Sequence, residues 1–332
     1  MPDSHGADLF ALTDLCTPWC LRVVATLRIA EHIADGTTDV DKLAAAAGCD
    51  QDVLHRVLGH LVSRGVFAEP APGQFALNEA ARGLLDPALV LGLDLDGFGG
   101  RMAHAWGSLL TAARTGRPAY DTVFGRPFWA DLDAHPDIAA SFDALMGPAG
   151  HGEPDPEVLL DGDWDAVRTV VDVGGGTGTL LAGVLRARPA TTGILIDLPR
   201  TVARAAGTFD SAGVAGRATT PGGSFFDPLP AGADLYLLKS VLADWPDAEA
   251  AAILRRCAEA VSRTGRVVVL GGVTPGAAAG ESDLLMMVLL GGRQRTLAEF
   301  AELAARAGLA VTASGRQPSG RYVVECRPAP TG

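Results

Sequence analysis

The spacing of apolar positions divides the chain into two rhythms. In the first, Leu9, Leu12, Leu15, Trp19, Val23, Leu27 and Ala30 recur at three- and four-residue steps, which predicts a helix over residues 8–35. A compact pattern follows from Thr37 to Leu85. Thr38 or Asp39 can cap a helix carrying Val40, Leu43 and Ala46, and Gly48-Cys49 turns the chain. Val53, Leu54, Val57, Leu58 and Leu61 predict a second helix, ended at Arg64-Gly65. Val66-Phe67 and Gln74-Phe75-Ala76-Leu77 flank Pro70-Ala71-Pro72-Gly73, which reads as a hairpin. Residues 88–150 read as irregularly alternating helices, punctuated at Arg117-Pro118, Gly125-Arg126-Pro127 and His135-Pro136. The stretch 151–165 sets six acids among Gly and Pro and reads as a linker.

From Val167 the rhythm becomes strand and helix in alternation. Thr169–Val173, Gly193–Asp197, Asp234–Lys239, Arg266–Leu270 and Tyr322–Cys326 are short apolar runs of strand length. Helices are expected from about Thr179, over Ala248–Ser262 and over Thr296–Ala307. That alternation implies a doubly wound parallel sheet. Three regions follow: residues 1–90, a helical connecting region over 91–160, and 161–332.

Composition narrows the function classes. The chain has 332 residues, 48% of them hydrophobic, enough for one or two full cores and too apolar for a disordered protein. No apolar run is expected to reach the length of a membrane span, and MPDSHGADLF lacks the pattern of a signal peptide. The net charge of −12 disfavours acidic membranes and nucleic acid as partners. The helix–turn–helix–hairpin order near the start is a winged-helix pattern. However, residues 1–80 carry eleven acids against five bases, and the would-be recognition helix offers only Arg56 before Arg64. A packing and dimerisation module is expected there, not a DNA reader. Cys16, Cys20, Cys49, Cys257 and Cys326 are odd in number and contain no C-x-x-C pair. Neither a disulfide framework nor a metal site is expected, and free cytoplasmic thiols are the default.

The chemistry concentrates after the first strand of the second rhythm. In Asp172-Val173-Gly174-Gly175-Gly176-Thr177-Gly178 an acid closes a strand, and glycines let the backbone turn tightly and approach a ligand. Asp197 ends the next strand, nineteen residues beyond Gly178, where an acid can accept both hydroxyls of a ribose. No lysine follows the loop, which excludes a P-loop. Taken in order, DVGGGTG, ILIDLP, GGSFFDPLP, LKSVLADWPD and GRVVVLGGVTP, with GRPFWADLDAHPDIAASFDALM upstream, resemble the S-adenosylmethionine-dependent small-molecule O-methyltransferases, in particular the bacterial antibiotic-tailoring, anthracycline-type branch. The resemblance spans about residues 8–327.

It implies a Rossmann-like class I methyltransferase domain behind a mainly helical, winged-helix-like dimerisation domain, and a homodimer. By the same resemblance Gly174, Gly176 and Gly178 line the methionine part of S-adenosylmethionine or S-adenosylhomocysteine. Asp197 holds the ribose, and Leu198, Ser224, Phe225 and Lys239 surround the adenine. Ser224 departs from the Asp usual in the family. Trp106, Phe142, Met146 and Met286 match positions that flank aromatic acceptors, which implies an aromatic or polyketide-type substrate of secondary metabolism.

The family's proton-transfer set is missing. Ala243 stands where the general-base His is usual, and Gly271 and Gln294 stand at its two glutamates. None of the three takes a proton near neutral pH. All seven histidines (His5, His32, His55, His60, His104, His135 and His151) precede the glycine loop. Only His104 and His151 are near enough in the pattern to be acid/base candidates, and Asp244 reads as a local hydrogen-bonding group. Three readings stay open: methyl transfer without a dedicated base, other chemistry on the same fold (decarboxylation, hydroxylation or cyclisation), and a non-catalytic partner.

Overall fold

The computed structural model describes residues 8–276 and 280–329, apart from the side chains of His151 and Glu281. His5 therefore lies outside the described residues. The chain divides into two compact units. One takes the described residues up to Ala103 together with Asp137–Leu145; the other takes His104–Pro136 and the described residues from Met146 on. The stretch 91–160 is shared between them.

In the first unit the helix expected over 8–35 is three helices: α1 (Leu9–Leu12), α2 (Cys16–Thr26) and α3 (Ile29–Ala34). Asp14 makes the first break. Its Oδ1 accepts the N–H groups of Cys16 (2.8 Å) and Thr17 (3.2 Å), which a continuous helix would send back to residues 12 and 13. Arg28, in the left-handed region at φ 54°, makes the second. The stretch Leu9–Thr26 is apolar and long enough to cross a membrane by length and composition, contrary to the expectation above, although Thr13–Leu15 interrupt it here.

Helices α4 (Val40–Ala47) and α5 (Gln51–Ser63) start where expected. Asp39 and Asp50 cap them through their carboxylates. Leu43, Leu54, Leu58, Leu61 and Phe75 fill the core of this unit. The hairpin pairs β1 (Ala68–Ala71) with β2 (Gln74–Ala76) and so begins later than Val66. Phe67 sits at φ 68° and is buried in the core, so it ends the preceding turn and does not enter the ladder.

The second unit is built on a seven-stranded sheet. Its strands are β3 (Thr169–Val173), β4 (Thr192–Ile196), β5 (Ala218–Thr219), β6 (Leu235–Lys239) and β7 (Arg266–Leu270), followed after the short parallel pair β8 (Val273–Thr274) and β9 (Arg295–Thr296) by β10 (Leu309–Arg316) and β11 (Tyr322–Pro328). The order is β10-β11-β7-β6-β3-β4-β5. The five strands from β7 to β5 are parallel, but β11 and β10 run antiparallel at the edge, so the sheet is mixed and not wholly parallel as expected.

Strands β3, β6 and β7 are almost wholly buried, with successive residues feeding two different cores: Val171, Tyr236 and Val267 one, Val170, Leu235 and Val268 the other. Strand order reverses at β3, and crevices in such sheets open at the carboxyl ends of the strands at that point. The segment 151–165 is no free linker. Val158, Leu159 and Trp164 are buried in the second unit, and Arg266 ties it down by donating to Asp161 (2.8 Å) and Glu325 (3.0 Å).

Candidate active site

The loop after β3 has the conformation its glycines were expected to allow. Gly174, Gly176 and Gly178 sit at φ 70°, 61° and 80°, where a side chain would be strained. Three glycines are also needed for space. A Cβ at Gly174 would lie 2.7 Å from Val241, one at Gly178 2.6 Å from Phe209, and one at Gly175 would collide with Asp172 Oδ2. Gly176 is different: nothing lies within 4 Å of its Cβ position. The loop is thus packed tightly from below and open at its crest. The helix Thr179–Ala187 begins immediately behind it.

Two acids define the electrostatics. Asp197 Oδ2 accepts the Gly176 N–H (2.8 Å), and its Oδ1 accepts the Leu198 N–H (2.7 Å). Burial holds this carboxyl above its ordinary value, against those two bonds. Asp172 is fully buried, and neither of its oxygens has a hydrogen-bond partner among the described residues. Burial pushes it up to about 7; Lys239 pulls it down and Asp197 pushes it further up. Lys239, at the end of β6, is itself lowered, by burial first and then by Arg321. A buried carboxyl without a partner under a glycine crest suits a cationic ligand, and Asp197 beside it suits vicinal hydroxyls.

The loop 222–226 closes the other side. Gly223 N–H donates to the Asp197 carbonyl (3.0 Å), which brings Ser224 and Phe225 alongside Asp197 and Leu198. Ser224 Oγ accepts from the Phe226 N–H (3.2 Å), so the hydroxyl braces its own loop. Phe225 lies near Gly174 and meets the edge of Trp245, with ring centroids 5.9 Å apart. Phe226 packs edge-on against Trp245, and Trp129 stacks on it at 6.2 Å and 17°. Trp129 was missed in the sequence; the GRPFWADLD motif contains it, but a linear motif does not mark which ring it meets.

The turn after β6 and the turn after β7 come close together. Ala243 lies in a single turn, Leu242–Asp244, after β6. Gly271 and Gly272 follow β7 at φ 81° and 76°, and a Cβ at Gly272 would be 3.0 Å from that of Ala243. Gln294 precedes β9; its N–H donates to Asp283 (2.6 Å) and its Nε2 to Ser282 Oγ (3.1 Å), which turns the amide toward the helix Glu281–Leu290. Asp244 is the group here with a titration near neutrality, pushed up to about 7 by burial alone.

Arg295, 1% exposed, holds the turn in place. Its guanidinium donates to the carbonyls of Leu242 (2.7 Å) and Trp245 (2.8 Å) and to Asp247 Oδ1 (3.0 Å). Sequence reasoning missed it, because an arginine beside Gln294 carries no mark of being buried.

The remaining candidates are scattered. The Trp106 turn packs on the helix that carries Met286, within the second unit. Phe142 belongs to the first unit and meets Phe98 edge-on at 4.9 Å, while Met146 belongs to the second and is 40% exposed. His104 is exposed. His151 closes the short helix Pro148–His151, and its side chain lies outside what is described.

Comparison with known proteins decides the family. An O-methyltransferase domain model matches residues 106–310, and an O-methyltransferase dimerisation domain model matches residues 9–87. The chain belongs to the O-methyltransferase family. It is 45% identical over 311 residues to the 2,7-dihydroxy-5-methyl-1-naphthoate 7-O-methyltransferase of Streptomyces carzinostaticus, covering 92% of this chain and 93% of that one. It is 38% identical to the aclacinomycin 10-hydroxylase RdmB of Streptomyces purpurascens, covering 90% and 83%. Among solved structures, a neocarzinostatin-biosynthesis O-methyltransferase bound to S-adenosylmethionine and 2-hydroxy-5-methyl naphthoic acid superposes with a TM-score of 0.91 at 42% identity, covering 98% of this chain and 99% of that one. The family is S-adenosylmethionine-dependent, and the glycine crest, the unpaired Asp172 and Asp197 fit that cofactor.

Proposed function

We propose that this family member transfers a methyl group from S-adenosylmethionine to a hydroxyl of an aromatic or polyketide-type small molecule of secondary metabolism, without a dedicated general base. The observation that carries the reading is the corner where a Gly272 Cβ would lie 3.0 Å from that of Ala243 and the Arg295 N–H donates to the Gly272 carbonyl (3.0 Å), in a sequence that has no histidine after the glycine loop. Bound, the cofactor supplies an electrophilic methyl group on a cationic sulfur. Gly174, Gly176 and Gly178 take its methionine portion, and Asp197 its ribose. Leu198, Ser224, Phe225 and Lys239 border the adenine. Asp172 compensates positive charge from below. Trp129, Phe225, Phe226 and Trp245 wall off water on one side. Within the second unit, Trp106, Met146 and Met286 are assigned to the acceptor. With an acidic phenol the proton leaves before transfer, and orientation alone can supply about 7–11 kcal/mol of the barrier.

The exposed apolar side chains of α1 and the start of α2 (Leu9, Phe10, Leu12, Leu15 and Trp19) support a homodimer formed through this end of the chain. A monomer in light scattering at micromolar concentration would contradict it. Incubation with methyl-labelled cofactor and candidate naphthoic or other phenolic acids tests the reaction: label is expected in the product, with stoichiometric release of S-adenosylhomocysteine. Turnover without label transfer would favour the second reading, non-methylating chemistry on this fold, which the likeness to a protein named as a hydroxylase keeps open.

A further inference from the structure

Three soft or borderline metal ligands meet in the first unit, far in sequence from every residue assigned above. Cys16 and Cys20 stand four apart on α2, so they share one helix face. Their sulfurs are 3.9 Å apart. A ring nitrogen of His60, on α5, completes a set whose donor atoms all lie within 4.8 Å of one another. The geometry points to a binding site for a single thiophilic metal ion, zinc(II), formed by Cys16, Cys20 and His60 and clamping α2 to α5.

The distances support this. Two thiolates on one tetrahedral zinc, each at about 2.3 Å, stand about 3.8 Å apart, close to the separation of these sulfurs. The ligands are also held in place. Asp14 accepts the N–H groups of Cys16 and Thr17 and fixes the first turn of α2. The Thr17 hydroxyl lies 2.9 Å from His60 Nε2 and keeps the ring against that turn. If the metal takes the other nitrogen, this bond survives as the outer contact that orients a ligating imidazole; if it takes Nε2, Thr17 is exchanged for the ion. Three protein ligands leave the fourth position to water. In the sequence a C-x3-C pair reads as ordinary helix; only the topology brings His60 to it.

The test uses the full-length chain, reduced and stripped with chelator. Zinc affinity is measured by competition with a chromophoric chelator, and cobalt(II) is titrated as a spectroscopic probe. One equivalent per chain is expected, with thiolate-to-cobalt charge-transfer absorption and tetrahedral ligand-field bands. Cys16→Ser, Cys20→Ser and His60→Gln are each expected to weaken zinc binding by about 100-fold or more, and Cys49→Ser in the same unit not at all. Zinc is also expected to raise the unfolding temperature of the wild type. Because Cys20 is partly buried, the cobalt spectrum of the wild type stands as evidence independent of how the variants fold. The assignment is overturned if cobalt gives no charge-transfer band, or if Cys16→Ser/Cys20→Ser binds zinc as tightly as the wild type. Methyl transfer is read separately, so either result leaves the proposed function untouched.

Discussion

Two corners of the second unit lie side by side at the ends of the parallel strands and could hardly be built more differently. The corner after β3 and β4 is rich in charge: Asp197 accepts two backbone N–H groups, and Asp172 is buried with no side-chain hydrogen bond among the described residues, in the field of Lys239. The corner after β6 and β7 is made of Ala243, Gly271, Gly272 and an amide already engaged by Ser282. Yet the second corner is no slack loop, because a buried arginine holds it through three hydrogen bonds. The first corner has the groups that would bind and orient a cation. The second, under the proposed function, is a turn that offers no group to move a proton. The contrast favours a reaction whose rate comes from placement.

Removing Asp197 strains this contrast most. Asp197→Ala leaves the Gly176 and Leu198 N–H groups without their acceptor and removes the proposed ribose ligand. Hydrogen bonds to a charged group contribute about 1.5–3 kcal/mol each, so cofactor affinity is expected to fall by about 100-fold in calorimetry. An unchanged affinity would place the cofactor elsewhere. Next in size is Arg295→Met, which leaves the Trp245 carbonyl without a donor and the Leu242 carbonyl with only the Trp245 N–H at 3.4 Å. Each buried unmade bond costs about 1–3 kcal/mol, so a loss of about 3 kcal/mol is expected in denaturant titration. Turnover should fall with it while cofactor affinity holds, because the arginine touches only the second corner.

The buried acid adds a pH dependence. Asp172 ionises at its ordinary 3.8 when unfolded and at about 7 when folded. Below pH 3.8 both forms are protonated and stability is unaffected. Between 3.8 and about 7 the unfolded chain ionises and the folded one does not, so stability falls as pH rises, by at most about 4 kcal/mol. A bound cation favours the ionised carboxylate, so cofactor affinity should run the opposite way and rise up to about tenfold between pH 6 and pH 8, with proton uptake by buffer. Asp172→Asn should flatten both trends. A wild-type affinity flat across that range would remove Asp172 from the cofactor's surroundings.

The same division governs what could be read from the sequence. The glycine loop, Asp197 and the strands Thr169–Val173 and Arg266–Leu270 were legible because backbone conformation and strand burial leave local marks: glycine at positive φ, and short valine-rich runs. The antiparallel strand β10 was not legible. Its exposed residues, Thr312, Ser314 and Arg316, alternate with half-buried Ala313 and Gly315 and carry too little hydrophobic contrast at a sheet edge. The break in the first helix was hidden because Asp14 acts through its side chain, not through its helix propensity. The proposed three-residue absence at Ala243, Gly271 and Gln294 rests only on the family pattern. The role of Arg295 was not legible at all, since long-range carbonyl partners leave no periodicity.

Smaller effects separate placement from proton transfer. Asp244, titrating at about 7, is the acid that could stand in for the missing histidine. If the proton leaves before transfer, Asp244→Asn changes turnover by less than about tenfold and leaves the pH–rate profile in place. A general base contributes about 10²–10⁴-fold, and its loss would also erase a break near pH 7.

The smallest change is expected where the family would place its base. An imidazole at Ala243 would enter a corner where Gly272 already approaches the Ala243 Cβ closely. It would find no carboxylate at Gly271 or Gln294 to fix its tautomer, and Gly271, at φ 81°, takes up a conformation in which a glutamate would itself be strained. Ala243→His is therefore expected to raise turnover by only a few-fold with an acidic phenol, against the about 10²–10⁴ of a well-oriented base. A less acidic alcohol sharpens the test, because its proton does not leave unaided. If the imidazole then raises methylation a hundredfold or more, the corner is a catalytic pocket lacking one side chain, and placement alone does not account for the reaction.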